Sequence, residues 1–252
     1  MSDKLGVGVG DVLWGIGGNI LVDTSNPTAS QDEIPGAPIW LVHGAFDFLP
    51  HVGDHWRGAD DVRAHIGRLF GHGYYMPRWS GGITPAAIRR GAQDISQQII
   101  RWWQANQGMP LILIGYSHGG NVNKEIVNRL DRNNPRIFVN TMINIGTPIM
   151  KEKFTVIPRV GQHINVYNAE DRIQEGGSGR IVTEEVITPR GVRIPLPRLV
   201  FSSDPHRYEG AINVPVQPDD SFNLLERHSF MHSSIRIWVD YIQRYLTLPP
   251  PT

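Results

Sequence analysis

The sequence predicts an α/β chain with a mostly parallel sheet flanked by helices, and two observations predict it. From residue 38 onward, short apolar runs alternate with amphipathic segments, the pattern of strands joined by crossover helices. Between two of those runs, Ile88, Ala92, Ile95, Ile99 and Trp102 recur at steps of 4, 3, 4 and 3, which sets them on one stripe of a helix. The expected strands are Ile39–Val42, Tyr74–Met76, Leu111–Ile114, Ile137–Ile145, Ile164–Tyr167 and Ala211–Val216. The first expected helix carries Val62, Ile66, Leu69 and Phe70, and the second is the stripe just given, entered through Pro85 in its first turn. A third carries Val122, Ile126, Val127 and Leu130, and the last carries Ile235, Trp238, Val239, Ile242 and Tyr245.

The stretch 172–210 breaks this rhythm. It holds EGGSGR, several prolines and two Val/Ile-rich segments, Ile181–Ile187 and Val192–Leu196, parted by a turn near Pro189-Arg190-Gly191. It reads as a hairpin insertion before the last strand, either covering the mouth of a site or extending the sheet at an edge. Residues 1–37 read as Gly-rich strands, forming an N-terminal hairpin at a sheet edge, followed by a polar linker. Residues 38–246 form the main domain and 247–252 a Pro-rich tail.

Composition narrows the function. With 24 basic and 24 acidic side chains the chain is neutral, so it carries no bulk attraction for phosphate backbones, and nucleic acid is not an expected partner. No cysteine is present, which excludes disulfides, a Cys nucleophile and Cys-ligated metals. The segment LGVGVGDVLWGIGGNILV is interrupted by Asp11 and Asn19, so no cleavable signal peptide is read and the chain is expected to be cytoplasmic as synthesised. His51 with His55, and His228 with His232, have spacing that suits zinc on a helix, but neither pair encloses the Glu of HExxH, and no metal is expected. No Lys-Ser/Thr follows EGGSGR and no GxGxxG opens a helix, so no cofactor is expected either.

One motif carries chemistry. Gly115-Tyr116-Ser117-His118-Gly119 matches G-x-S-x-G, the strand-to-helix turn that presents a nucleophilic serine. Its context fits, because LILI precedes it as a buried strand and an amphipathic helix follows. A serine needs a base, and the base needs an orienting acid. The strand HINVYN ends in Asn168-Ala169-Glu170-Asp171, which puts Asp171 at the same sheet edge as Ser117; Glu170, Asp204, Asp219 and Asp220 are the competing acids. For the base, a loop before the last helix offers His228 and His232. Upstream, Ile39–Val42 runs into His43-Gly44-Ala45.

The segments LVHG, WSGG (Trp79–Gly82), GYSHGG, Gly146-Thr147-Pro148, NAEDR and HSFMH together span most of residues 38–246. They resemble the bacterial lipase/esterase branch of the α/β-hydrolases, a branch that includes secreted antibacterial phospholipases. The resemblance implies an α/β-hydrolase fold and a serine hydrolase of carboxylic esters, with lipid or phospholipid esters as substrates. It further implies Ser117 as nucleophile, His228 as base, Asp171 as orienting acid, and the amides of Ala45 and His118 as the oxyanion hole. His232, Glu170 and Asp204 stand as alternative catalytic residues, and His43 as a buried residue holding its loop. For an exported member of this branch, a leaderless secretion system, contact with a membrane surface and a secretion or immunity partner are further expectations.

Overall fold

Six strands pair side by side, every pair parallel: β1 (Ile39–Val42), β2 (Tyr74–Tyr75), β3 (Leu111–Tyr116), β4 (Val139–Ile145), β5 (Val160–Tyr167) and β8 (Ile212–Pro215), in the order β2-β1-β3-β4-β5-β8. The computed structural model describes residues 38–45, 56, 59–150, 159–177, 180–187, 193–200, 206–218, 222 and 224–247. The N-terminal hairpin expected within residues 1–37, and His51, His55, Asp204, Asp219 and Asp220, lie outside them. Among the described residues no helix is long and apolar enough to cross a membrane.

Crossover helices follow where the sequence puts them. Helix α1 (Asp60–Phe70) buries Val62 and Ile66 and ends on Gly71 in the left-handed conformation, φ 69°. Helix α2 (Pro85–Ala105) starts at Thr84, whose Oγ1 accepts the Ala87 N–H at 3.2 Å, with Pro85 next. It buries Ile88, Ala92, Ile95 and Ile99, four members of the expected stripe. Helix α3 (His118–Asn133) follows Ser117 directly.

From β1 the chain moves to one side to form β2 and then to the other side to form β3. The two crossovers therefore fall on opposite faces of the sheet. Val62 and Ile66 of α1 pack with Ile39, Leu41, Ile112, Ile114 and Tyr116. Ile88, Ala92, Ile95 and Ile99 of α2 pack with Trp40, Val42, Leu111 and Leu113. The carboxyl ends of β1 and β3 thus flank a topological switch point, where a parallel sheet opens a crevice. Sheet, flanking helices and the strand-turn-helix at Ser117 make this an α/β-hydrolase fold.

Several expectations need correcting. The insertion opens with a short helix, α4 (Arg172–Gly177), that the glycines of EGGSGR concealed. Strands β6 (Arg180–Ile187) and β7 (Arg193–Val200) do form an antiparallel hairpin, but they make a two-stranded sheet of their own rather than an edge of the main one. His228 and His232 belong to helix α5 (Leu224–Ser233), not to a loop. The last helix begins as Ile235–Ile237, widens to a π turn over Trp238–Ile242 and tightens to a 3-10 turn over Gln243–Tyr245. Those changes of pitch shift the buried side to Ile237, Trp238 and Ile242, leaving Ile235 42% and Val239 50% exposed.

Candidate active site

Ser117 has φ 50° and ψ −129°, and it is the non-glycine residue with positive φ among those described. Such a backbone costs roughly 1–3 kcal/mol and survives only where its surroundings over-determine it. Those surroundings are tight. A β-carbon on Gly115 would meet the Gly120 nitrogen at 2.6 Å, and one on Gly119 would meet the Val42 carbonyl oxygen at 2.3 Å. The two flanking glycines of the motif are therefore required by the approach of α3 to β3 and of α3 to the end of β1. The Ser117 N–H donates to the Ile145 carbonyl at 2.8 Å, which anchors the turn to β4. Ser117 itself is 7% exposed.

Asp171 sits just beyond β5 and is wholly buried. Its two carboxylate oxygens have separate partners. Oδ1 accepts the N–H groups of Ile173 and Gln174 at 3.0 and 3.1 Å, capping α4. Oδ2 lies 2.5 Å from Nδ1 of His228. The short helix that the sequence hid thus fixes the acid, and the acid fixes the histidine. His228 in turn reaches back toward the serine's strand end. Its Cε1 lies 3.5 Å from where a Gly146 β-carbon would stand, and Gly146 follows Ile145, the residue that accepts from Ser117 N–H. Its ring also packs on Tyr116, centroids 5.1 Å apart.

Glu170 and His232, the alternatives among the described residues, have partners of their own. Glu170 pairs with Arg227, so that two consecutive acidic side chains, Glu170 and Asp171, meet Arg227 and His228 across the two elements. His232, one turn beyond His228 on α5, lies against Tyr116 with the rings tilted 30° and centroids 3.9 Å apart, and meets Trp56 edge-on at 5.9 Å. Asp204 lies outside the described residues.

On the other side of Ser117, the turn after β1 brings Gly44 close enough that a β-carbon there would stand 2.9 Å from the Ser117 β-carbon. Ala45 follows it, half-buried. His118 opens α3, so its amide is one of the helix's first N–H groups, which have no acceptor within the helix. Its imidazole is buried and stays neutral at pH 7, its pKa lowered to about 4 by burial first and by the charges of His228 and Lys124 next. Burial, reinforced by the negative charge of Asp171, pushes the Tyr116 phenol well above its ordinary range.

The periodicity of the sequence did not reveal what lies under the elbow. Gly115, Asn144, Asn165 and Asn213 stand in register across β3, β4, β5 and β8. Asn144 bonds His163 at 3.1 Å, and Asn165 donates to the His206 carbonyl and to Asn213 Oδ1. Lys124, from α3, is fully buried with its ammonium 4.5 Å from the Tyr208 ring centre. Burial lowers the Lys124 pKa well below its usual value, and burial together with Lys124 lowers that of His163 to about 3. A signal for this layer was present in the three asparagines, each at a strand position whose neighbours are aliphatic.

No protein-family model and no curated protein matches this sequence. Solved structures do resemble it. A protein named as a cell surface hydrolase from Lactobacillus plantarum WCFS1 is 10% identical with a TM-score of 0.42, over 55% of this chain and 70% of that one. A cutinase-like protein from Cryptococcus sp. is 21% identical with a TM-score of 0.36, over 45% of this chain and 54% of that one. A hyperthermophilic esterase from the archaeon Pyrobaculum calidifontis is 19% identical with a TM-score of 0.34, over 45% of this chain and 37% of that one.

Proposed function

We propose that the protein is a serine hydrolase of carboxylic esters, with Ser117 as nucleophile, His228 as base and Asp171 as orienting acid. The observation that carries this reading is the 2.5 Å contact between Asp171 Oδ2 and His228 Nδ1, made by a fully buried carboxylate that α4 holds in place. A carboxylate accepts only from a protonated nitrogen, so Nδ1 carries a proton, and in the neutral ring, which has only one, Nε2 keeps its lone pair.

In the proposed reaction Nε2 takes the proton from Ser117 Oγ as that oxygen attacks the ester carbonyl. The amides of Ala45 and His118 donate to the oxygen that gains charge. Collapse of the tetrahedral intermediate expels the alcohol, which takes the proton back from Nε2 and leaves an acyl-serine. Water, deprotonated by the same nitrogen, then releases the acid. Asp171 holds the tautomer and stabilises the imidazolium formed in each half-reaction. Lipid and phospholipid esters are the substrates within this reading, on the sequence resemblance alone.

Hydrolysis of p-nitrophenyl esters of increasing chain length tests it. Ser117→Ala and His228→Ala are expected to lower kcat by on the order of 10³ or more, and Asp171→Asn by a comparable factor. Residual turnover above a tenth of wild type in Ser117→Ala would reject the assignment.

A further inference from the structure

We propose that Trp79 is a positioning residue that sets the direction of the Ala45 amide, an inference that rests on the serine-hydrolase reading above. The Ala45 N–H belongs to the same planar peptide as the Gly44 carbonyl, so fixing that oxygen fixes the amide on its far side. The sheet offers this peptide no support, because the register of β1 on β3 ends at Val42 opposite Gly115. The support comes instead from His43, whose Nδ1 lies 2.8 Å from the Gly44 carbonyl oxygen.

Trp79 fixes His43 in three ways. Its backbone N–H donates to His43 Nε2 at 3.3 Å, its indole Nε1–H donates to the His43 carbonyl at 3.1 Å, and its ring stacks on the imidazole, centroids 5.5 Å apart and planes 23° apart. Because Nε2 accepts, the ring's proton sits on Nδ1 and donates to Gly44. One tryptophan therefore sets the tautomer and tilt of His43 and holds the preceding peptide as well, and His43 passes that order to the peptide bearing the Ala45 amide. Trp79 is itself backed by α2. A β-carbon on Gly91 would stand 2.9 Å from its Cε3 and 3.0 Å from its Cβ, so the ring occupies a notch that only glycine leaves open. Trp79, from the WSGG segment, thus acts on a site to which it contributes no reacting atom.

The test separates transition-state from ground-state effects. Trp79→Phe keeps a stacking ring and loses the indole donor, and Gly91→Ala keeps the tryptophan but displaces its ring. Both are measured for kcat and KM on p-nitrophenyl butyrate and for inhibition by an alkyl trifluoromethyl ketone, whose adduct with serine carries an oxyanion. Each variant is expected to lower kcat about tenfold, to hold KM within about twofold, and to weaken the ketone by the same factor as kcat/KM. For Gly91→Ala this loss is expected despite its greater helix propensity. Unchanged kcat, a change confined to KM, or a loss of kcat with undiminished ketone affinity would each overturn the proposal. If Trp79→Phe fails to fold, Gly91→Ala decides alone. A wild-type protein that turns over the ester beside unaffected variants removes only the Trp79 inference. A wild-type protein with no turnover and no ketone inhibition removes the hydrolase reading and this inference together.

Discussion

The two faces of the sheet are built from different materials. The face covered by α1 and the final helix is apolar and mostly aliphatic: Ile39, Leu41, Ile112, Ile114, Ile143, Ile145, Ile164, Val166, Val214 and Val216 all join one core, closed by Ile237, Trp238 and Ile242. The face covered by α2 and α3 is aliphatic only under β1, β3 and the start of β4, through Trp40, Val42, Leu111, Leu113, Val139 and Met142. Toward β5 and β8 it turns polar, with Asn144, His163, Asn165 and Asn213 beneath Lys124. Hydrophobic contact is non-directional, whereas a hydrogen bond fixes a direction. The aliphatic face can therefore supply stability, and the polar face can supply orientation under the strand ends that carry Ser117 and lead to Asp171.

The largest effect expected from this difference is acid lability seated on the polar face. His118 and His163 are held to about 4 and about 3, against an ordinary value of 6.5. The unfolded chain therefore binds more protons below about pH 6.5. The stability these residues permit is complete above that pH and is lost as pH falls toward the folded values. By pH 4 the loss is on the order of 5 kcal/mol for the pair, read as a falling urea midpoint. His163→Gln, which removes one titrating group, should flatten the fall; an unchanged slope would place the acid sensitivity elsewhere.

Ile164→Ala and Asn165→Leu sharpen the contrast at adjacent residues of β5. The first opens a cavity in the aliphatic core and should cost about 2–5 kcal/mol in denaturant titration while leaving kcat of the folded protein unchanged. The second keeps the branched shape but removes the bond to the His206 carbonyl and one of the two that Asn213 Oδ1 accepts, the other coming from the Tyr208 N–H, at about 1–3 kcal/mol. It should also lower kcat, because the bonds it removes hold the strand leading to Asp171. Equal kcat in both variants would break the assignment of roles to the two faces.

The aliphatic face was legible in the sequence because strand and helix periods record burial directly. The polar face was not. Asn121, Asn123, Lys124 and Asn128 fall between the apolar positions of α3 and read as its solvent side, yet the helix is buried all round over its first turns. Periodicity reports which residues share a side, and it cannot report a second covering layer drawn from distant chain. That Asp171 would face a histidine from just before the last helix was legible through chemistry and chain order, whereas the choice of His228 over His232, which the contact across 57 residues matches, came from the family resemblance. The α4 helix that orients Asp171 was not legible, since Glu175-Gly176-Gly177 reads as a breaker. The final helix misled for a third reason, a π turn that shifts the phase of the stripe midway.

The smallest expected effect concerns the outer pair. Glu170 and Arg227 are joined in solvent, where an ion pair contributes at most about 1 kcal/mol. Glu170→Gln should change kcat by less than about threefold and the urea midpoint hardly at all. A loss comparable to that of Asp171→Asn would move the acid's role to Glu170.

A fluorophosphonate probe reads most directly whether Ser117 is activated by a histidine that Asp171 orients, since only an activated serine is phosphonylated. One stoichiometric adduct is expected on the folded wild-type protein, mapped to Ser117 by peptide mass spectrometry, with labelling slowed by at least about a hundredfold in His228→Ala. A folded wild-type protein that forms no adduct at Ser117, or a His228→Ala variant labelled at the wild-type rate, would contradict that activation.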